Sequence, residues 1–258
     1  MKPILAPLLL VSSLGLAQAE MKVEPIDYQI DGQPYQGLLV YDASVTTPRP
    51  GLLMVPNWLG ATERAAEKAA RVAGDKYVVF VADLYGKGVR PTTPEDAGKV
   101  AGALRGDRPL MRKRTQASLD ELLKHTDTVN PQQVAAIGFC FGGGAILELA
   151  RSGAPLSAFV SFHGNLDTPN PTDNSNIKGS VLVLHGANDP SVPKQQVDDF
   201  VAAMQQTPVD WQLVNYGNAV HSFTDPYANV PGRNEYNPLV AERAFQAMND
   251  LLAQKFTP

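Results

Sequence analysis

Cysteine is all but missing: Cys140 is the one thiol in 258 residues. No internal disulfide can form, and an unpaired thiol in an oxidising compartment is a liability unless it has a task. Histidine is scarce as well, with four copies. No two of them stand at helix-face spacing and no His/Asp/Glu cluster stands out, so neither a metal nor another cofactor is expected. Basic runs and basic–aromatic interleaving are absent and the net charge is −4, so nucleic acid is not an expected partner. The chain also lacks internal repeats, low-complexity tracts and linker-like stretches. Its one distinctive apolar stretch outside the α/β pattern lies at the N-terminus.

That stretch, Met1 to Ala19, reads as a secretory signal peptide. Lys2 gives the positive start, Ile4 to Leu16 is apolar apart from Pro7, Ser12, Ser13 and Gly15, and Ala17-Gln18-Ala19 has the small-x-small cleavage pattern. It is shorter than the ~20 residues of a spanning helix, and a polar segment follows at once, so no stable membrane anchor is expected. No cysteine follows the cleavage site to carry a lipid, and no twin arginine is present. The expected organisation is a signal peptide over 1–19 and a single α/β domain over 20–258, exported to the periplasm or secreted. The 239 residues left after cleavage suit one such domain.

What remains alternates. Val23–Ile30 and Gln36–Tyr41 read as antiparallel strands around Asp31-Gly32. Gly51–Pro56, Tyr77–Ala82, Val134–Ile137, Leu156–Phe162, Val181–His185 and Trp211–Tyr216 read as further strands. Helices are expected over Ala61–Ala73, Thr93–Gly102, Leu110–Lys124, Ala145–Ala150, Val192–Met204 and Leu239–Lys255. Apolar strands alternating with helices imply a mostly parallel central sheet with helices on both faces. Ligands then bind at the C-terminal ends of the strands, where several loops are long.

Gly138-Phe139-Cys140-Phe141-Gly142-Gly143-Gly144 joins one such strand to a helix. A sharp strand–turn–helix with glycines two before and two after a nucleophile is the nucleophile elbow. The apex backbone is strained, its neighbours must be small, and the helix N-terminus favours a thiolate. The alternative is a small buried hydrophobe. An elbow nucleophile needs a base and an orienting acid, which follow in the order acid, histidine in α/β-hydrolases. Asp189 stands just past one later strand and His221 past the next. Asp189 before Pro190 also suits a turn or N-cap, and His221 an ordinary loop. His125 falls at a helix end, and His185 precedes Asp189 on its own strand. His163 ends the strand beside the elbow and is a reserve ligand for substrate or water.

These residues resemble the dienelactone hydrolase family of α/β-hydrolases. The resemblance rests on Gly138–Gly143, Gly186-Ala187-Asn188-Asp189-Pro190, Val220-His221-Ser222-Phe223, Asp83-Leu84-Tyr85-Gly86 and the Pro56–Gly60 loop, and runs from about Tyr35 to Phe256. It implies an α/β-hydrolase fold and hydrolysis of a small-molecule carboxylic ester or lactone through a Cys140–His221–Asp189 triad and an acyl-enzyme. It also implies an oxyanion hole from the backbone N–H groups of Phe141 and Trp58. Asn57, Tyr85, His163 and Phe223 are expected about the substrate, with Trp58, Tyr85 and Phe223 lining an apolar acyl pocket. Two departures stand out. The family's first-loop glutamate, which takes part in activating the cysteine, is Asn57 here. The family's arginines for the substrate carboxylate have no counterpart after His221-Ser222-Phe223, where Thr224-Asp225 follow; Arg90, Arg105 and Arg108, on the Tyr85 side, stay open as contributors. The expectation is therefore an exported, monomeric cysteine hydrolase of an uncharged or weakly charged ester or lactone. The competing expectation, from the loss of the glutamate, is a non-catalytic binding protein or thiol sensor on the same fold.

Overall fold

The computed structural model describes residues 20–257. The signal peptide expected over 1–19 lies outside the described residues.

The chain opens on a hairpin, β1 (Met21–Ile30) and β2 (Gln33–Asp42). Its turn is Asp31-Gly32, both at positive φ, 52° and 75°, the backbone that an Asp-Gly hairpin turn supplies. β3 (Arg49–Val55), β4 (Val78–Val81), β5 (Val129–Phe139), β6 (Ala158–Phe162), β7 (Ser180–Gly186) and β8 (Trp211–Tyr216) complete an eight-stranded sheet. The order is β1-β2-β4-β3-β5-β6-β7-β8. Only the β1–β2 and β2–β4 pairs are antiparallel; the others run parallel. The central strands are buried along most of their length, as a sheet covered on both faces requires.

The two faces have separate cores. One packs α1 (Glu63–Ala73) and α6 (Pro238–Lys255) on the sheet through Ala65, Ala69, Val240, Met248 and Leu252. The other packs α2 (Pro94–Gly106), α3 (Arg108–Leu122), α4 (Phe141–Arg151) and α5 (Lys194–Met204) through Leu104, Met111, Leu119, Ile146 and Phe200. This is the mostly parallel sheet with helices on both faces that the alternation predicts, and the α/β-hydrolase arrangement that the resemblance implies.

The differences are local. The break between α2 and α3 is a single residue: Asp107 ends one helix and its carboxylate accepts from Leu110 N at 3.0 Å to start the next. α4 begins at Phe141 rather than Ala145, because the three glycines form its first turn. The loop before α6 carries a short hairpin, β9 (Asn229–Val230) with β10 (Asn234–Glu235), which no periodicity announces.

Candidate active site

β5 delivers Cys140 at the C-terminal edge of the sheet. Its backbone sits at φ 55° and ψ −119°, an unfavourable region for a side chain and a mark of functional strain. The glycines beside it have no alternative. A Cβ on Gly138 would lie 2.1 Å from the Gly142 carbonyl oxygen, and one on Gly142 would lie 2.0 Å from that of Val55. The Cys140 N–H donates to the Phe162 carbonyl at 3.0 Å, tying the apex to β6. Phe141 opens α4, so its N–H lacks a carbonyl within the helix and faces the thiol.

His221 and Asp189 converge on the same place. His221 Nδ1 lies 2.7 Å from Asp189 Oδ2, with the Asp189 side chain fully buried. The other carboxylate oxygen accepts from Ser191 N at 2.7 Å. The backbone of His221 is held by the hairpin, since Glu235 N–H donates to its carbonyl at 3.1 Å. Burial pushes the Cys140 thiol up, but the charge of His221, the Phe141 N–H and Arg105 together bring it below its ordinary value. Burial likewise opposes charge on His221, and the Cys140 thiolate and Asp189 outweigh it, raising the imidazole well above its ordinary value. Each group thus favours the charged form of the other, the thiolate of Cys140 and the imidazolium of His221.

Asn57 and Trp58 line the cleft over Cys140. Asn57 Oδ1 accepts from Leu59 N at 3.1 Å, which leaves its NH2 as the free group, a donor only. The Trp58 carbonyl accepts from Tyr85 OH at 3.0 Å. Among the described residues the Trp58 N–H donates to no protein acceptor, while its neighbours Leu59 and Gly60 both donate to Asn57.

Three residues expected about the substrate stand elsewhere. Tyr85, Phe223 and His163 are buried and are not among the residues lining the cleft. Tyr85 packs on Phe141, with ring centroids 5.8 Å apart, and holds the 57–60 loop through its hydroxyl. Phe223 lies under His163 at 5.0 Å. A φ of 41° turns His163 behind the site, where its Nε2 lies 2.9 Å from Thr224 Oγ1 and its ring packs edge-on to His221 at 5.2 Å. Burial, then the charges of His221 and Lys68, keep it neutral.

Other residues take their place. The cleft has a volume of about 230 Å³ and is walled by Gly98, Ala101, Gly102 and Arg105 of α2, by Asn165, Ser191 and Ser222, and by Arg233 and Asn234 of the hairpin. Arg233 lies ten residues past Phe223, and nothing in its sequence neighbourhood points to the site. The only lever was the length of the Gly217–Pro238 loop. With Arg105 opposite, the cleft carries two guanidinium groups and no exposed carboxylate.

The dienelactone hydrolase family model matches residues 36–256. A dienelactone hydrolase-like promiscuous phosphotriesterase from metagenomic libraries superposes with a TM-score of 0.87 at 37% identity, over 93% of this chain and all of that one. The solved structure called m3DLH gives 0.87 at 40%, over 92% of this chain and 99% of its own. A Synechocystis protein named as a candidate carboxymethylenebutenolidase is 24% identical over 217 residues, 78% of this chain and 85% of its own length. The match reaches from the hairpin to the last helix, and the chain belongs to the dienelactone hydrolase family, as a hydrolase of the α/β-hydrolase fold.

Proposed function

We propose that the protein is an exported cysteine hydrolase that cleaves a carboxylic ester or lactone at Cys140, with His221 as proton carrier and Asp189 as its orienting acid. The observation that carries this is the 2.7 Å contact of Asp189 with His221 Nδ1, made where His221 shares a cleft with a thiol on a strained elbow. A binding module needs neither residue.

The thiolate Sγ attacks the substrate carbonyl carbon, and the electron pair of the C=O bond moves to oxygen. That oxyanion accepts from the N–H groups of Phe141 and Trp58; losing one such donor typically costs about 2.7–4 kcal/mol of transition-state stabilisation. The tetrahedral centre collapses, the C–O bond to the alcohol breaks, and His221 Nε2–H protonates the departing oxygen. A thioester on Cys140 remains. Neutral His221 then takes a proton from water, hydroxide adds to the thioester carbonyl, and the thiolate leaves as the acid forms. Asp189 keeps Nδ1 protonated throughout, so Nε2 is the exchanging nitrogen. Asn57 cannot act as a base in place of the family glutamate; its NH2 is set to donate to substrate or thiolate.

Arg105 and Arg233 favour substrates with a negative group beyond the scissile bond, or acyl groups whose product acid they help to draw off. Export rests on the 1–19 sequence pattern. It is supported by the start of β1 at Met21, and by the Glu20 nitrogen lying 3.0 Å from Asp42 Oδ1, where cleavage before Glu20 would place an ammonium against a carboxylate. A panel of neutral and carboxylate-bearing esters, assayed on protein starting at Glu20 and on Cys140→Ala, tests the reading. Turnover by the Ala variant at the parent rate would reject it.

A further inference from the structure

Lys68 is a cation placed where cations are expensive. It lies on α1 with 7% of its surface exposed, and its Nζ sits 4.3 Å from the centroid of Phe139, the residue before Cys140. A buried ammonium ordinarily has a carboxylate or several carbonyls. Among the described residues, none forms a hydrogen bond or ion pair with Lys68. The adjacent acid on α1, Glu67, accepts instead from Tyr227 OH at 2.8 Å.

The Lys68 side chain lines a small cavity behind the elbow, on the far side of Asn57 from the cleft. Arg64 and Arg71 line it too, against one acid, Asp225, whose Oδ1 already accepts from Tyr227 N at 3.0 Å. Tyr227 closes the outer side, its ring 4.2 Å from the Arg64 guanidinium. The free space is about 30 Å³. That is room for a halide or a pair of water-sized atoms, not for an ester. A buried lysine and two exposed arginines against one acid, about a space of that size, suit a small inorganic anion.

We propose that Lys68, Arg64 and Arg71 form a binding site for a small monovalent inorganic anion, such as chloride, behind the nucleophile elbow. The anion adds to the partial counter-charge that Asp225 gives Lys68 across the cavity. This site is independent of the hydrolase chemistry and does not require Cys140 to be the nucleophile. Its pH dependence follows from the groups that face Lys68: Asp225, Arg71, Arg64, His163 and Cys140. Burial is the main influence and brings the ammonium to about 8, with Arg71 adding and Asp225 opposing. Anion binding needs the charged form, so affinity falls as pH rises beyond that value.

The test uses bromide and chloride on the full mature chain. Crystals soaked in bromide should show an anomalous peak between Lys68 Nζ and the Arg64 and Arg71 guanidinium groups. Replacing gluconate by chloride at constant ionic strength should raise Tm by a few degrees in a saturable way, because the anion binds only the folded state. Lys68→Met should lose both signals, and Lys68→Arg should keep them. A bromide peak confined to the Arg105–Arg233 cleft, or no ordered bromide, overturns the proposal. So does a chloride dependence of Tm that is the same in Lys68→Met. If Lys68→Met does not fold, the bromide map of the parent protein decides alone.

Discussion

At Cys140, burial raises the thiol, and the charge of His221, the Phe141 N–H and Arg105 lower it by more. His221 shows the mirror image. In the proposed mechanism the thiolate forms as pH rises through a value below the ~8.5 of a free cysteine, and the imidazolium that would protonate the leaving alcohol is lost at still higher pH. Alkylation of Cys140 by iodoacetamide should therefore inflect below ~8.5, with apparent values that belong to the pair. A profile centred on the free-thiol value would remove the ion pair. Asp189→Asn should leave the fold intact and lower kcat by roughly 10³–10⁴-fold, since the amide no longer fixes the Nδ1–H tautomer. Arg233→Gln should raise KM for a carboxylate-bearing ester about tenfold, the equivalent of about 1.4 kcal/mol, with a neutral isostere unaffected. Equal effects on both esters would show that Arg233 reads shape rather than charge. The triad residues were legible in the sequence because each follows a strand in a fixed order. Arg233 was not, because its place depends on how a long loop folds back.

Among the elements, the elbow and α4 behave as one piece. Gly142 leaves no room for a methyl group against the Val55 and Pro56 carbonyls, so Gly142→Ala should yield insoluble protein or a large loss of Tm. Further along α4, Glu148 is fully buried between Arg151 and Arg112 at 2.9 and 2.8 Å. Arg151 also donates to Asn174 Oδ1 at 2.8 Å and to the Leu166 carbonyl at 3.1 Å. These contacts clamp the loop that carries Asn165 to the cleft. Arg151→Met strands the Glu148 carboxylate and should cost about 3–5 kcal/mol in urea unfolding; a loss under about 1 kcal/mol would mean that Arg112 alone suffices. Tyr85 was legible as a conspicuous aromatic but not as a strut, because nothing in Asp83-Leu84-Tyr85-Gly86 says which way the ring turns. Its hydroxyl holds the Trp58 carbonyl, so Tyr85→Phe should lower kcat by loosening the oxyanion loop and leave stability within about 1 kcal/mol of the parent. The glycine run was legible as an elbow but not as a first helical turn, since glycine is a poor helix former and close packing against Val55, Pro56, Ser161 and Gly164 holds it there.

On the scale of the whole molecule, alternation of apolar strands and helices was enough to give the parallel sheet, and the Asp31-Gly32 pair gave its antiparallel edge. The order of strands brings Cys140, Asp189 and His221, separated by up to 81 residues, to one edge. The short β9–β10 hairpin is not legible in the sequence because two-residue strands carry no period. Export and cleavage before Glu20 predict that the mature chain recovered from the periplasm or medium begins Glu-Met-Lys-Val; an N-terminus at Met1 would contradict it. The central claim is that the acyl group passes through Cys140. Intact-mass measurement during turnover of a slowly deacylated ester, followed by peptide mapping, tests it most directly. The account predicts one acyl adduct on the peptide containing Cys140, absent from Cys140→Ala. Turnover with the adduct on another residue, or undiminished turnover by Cys140→Ala, would contradict it.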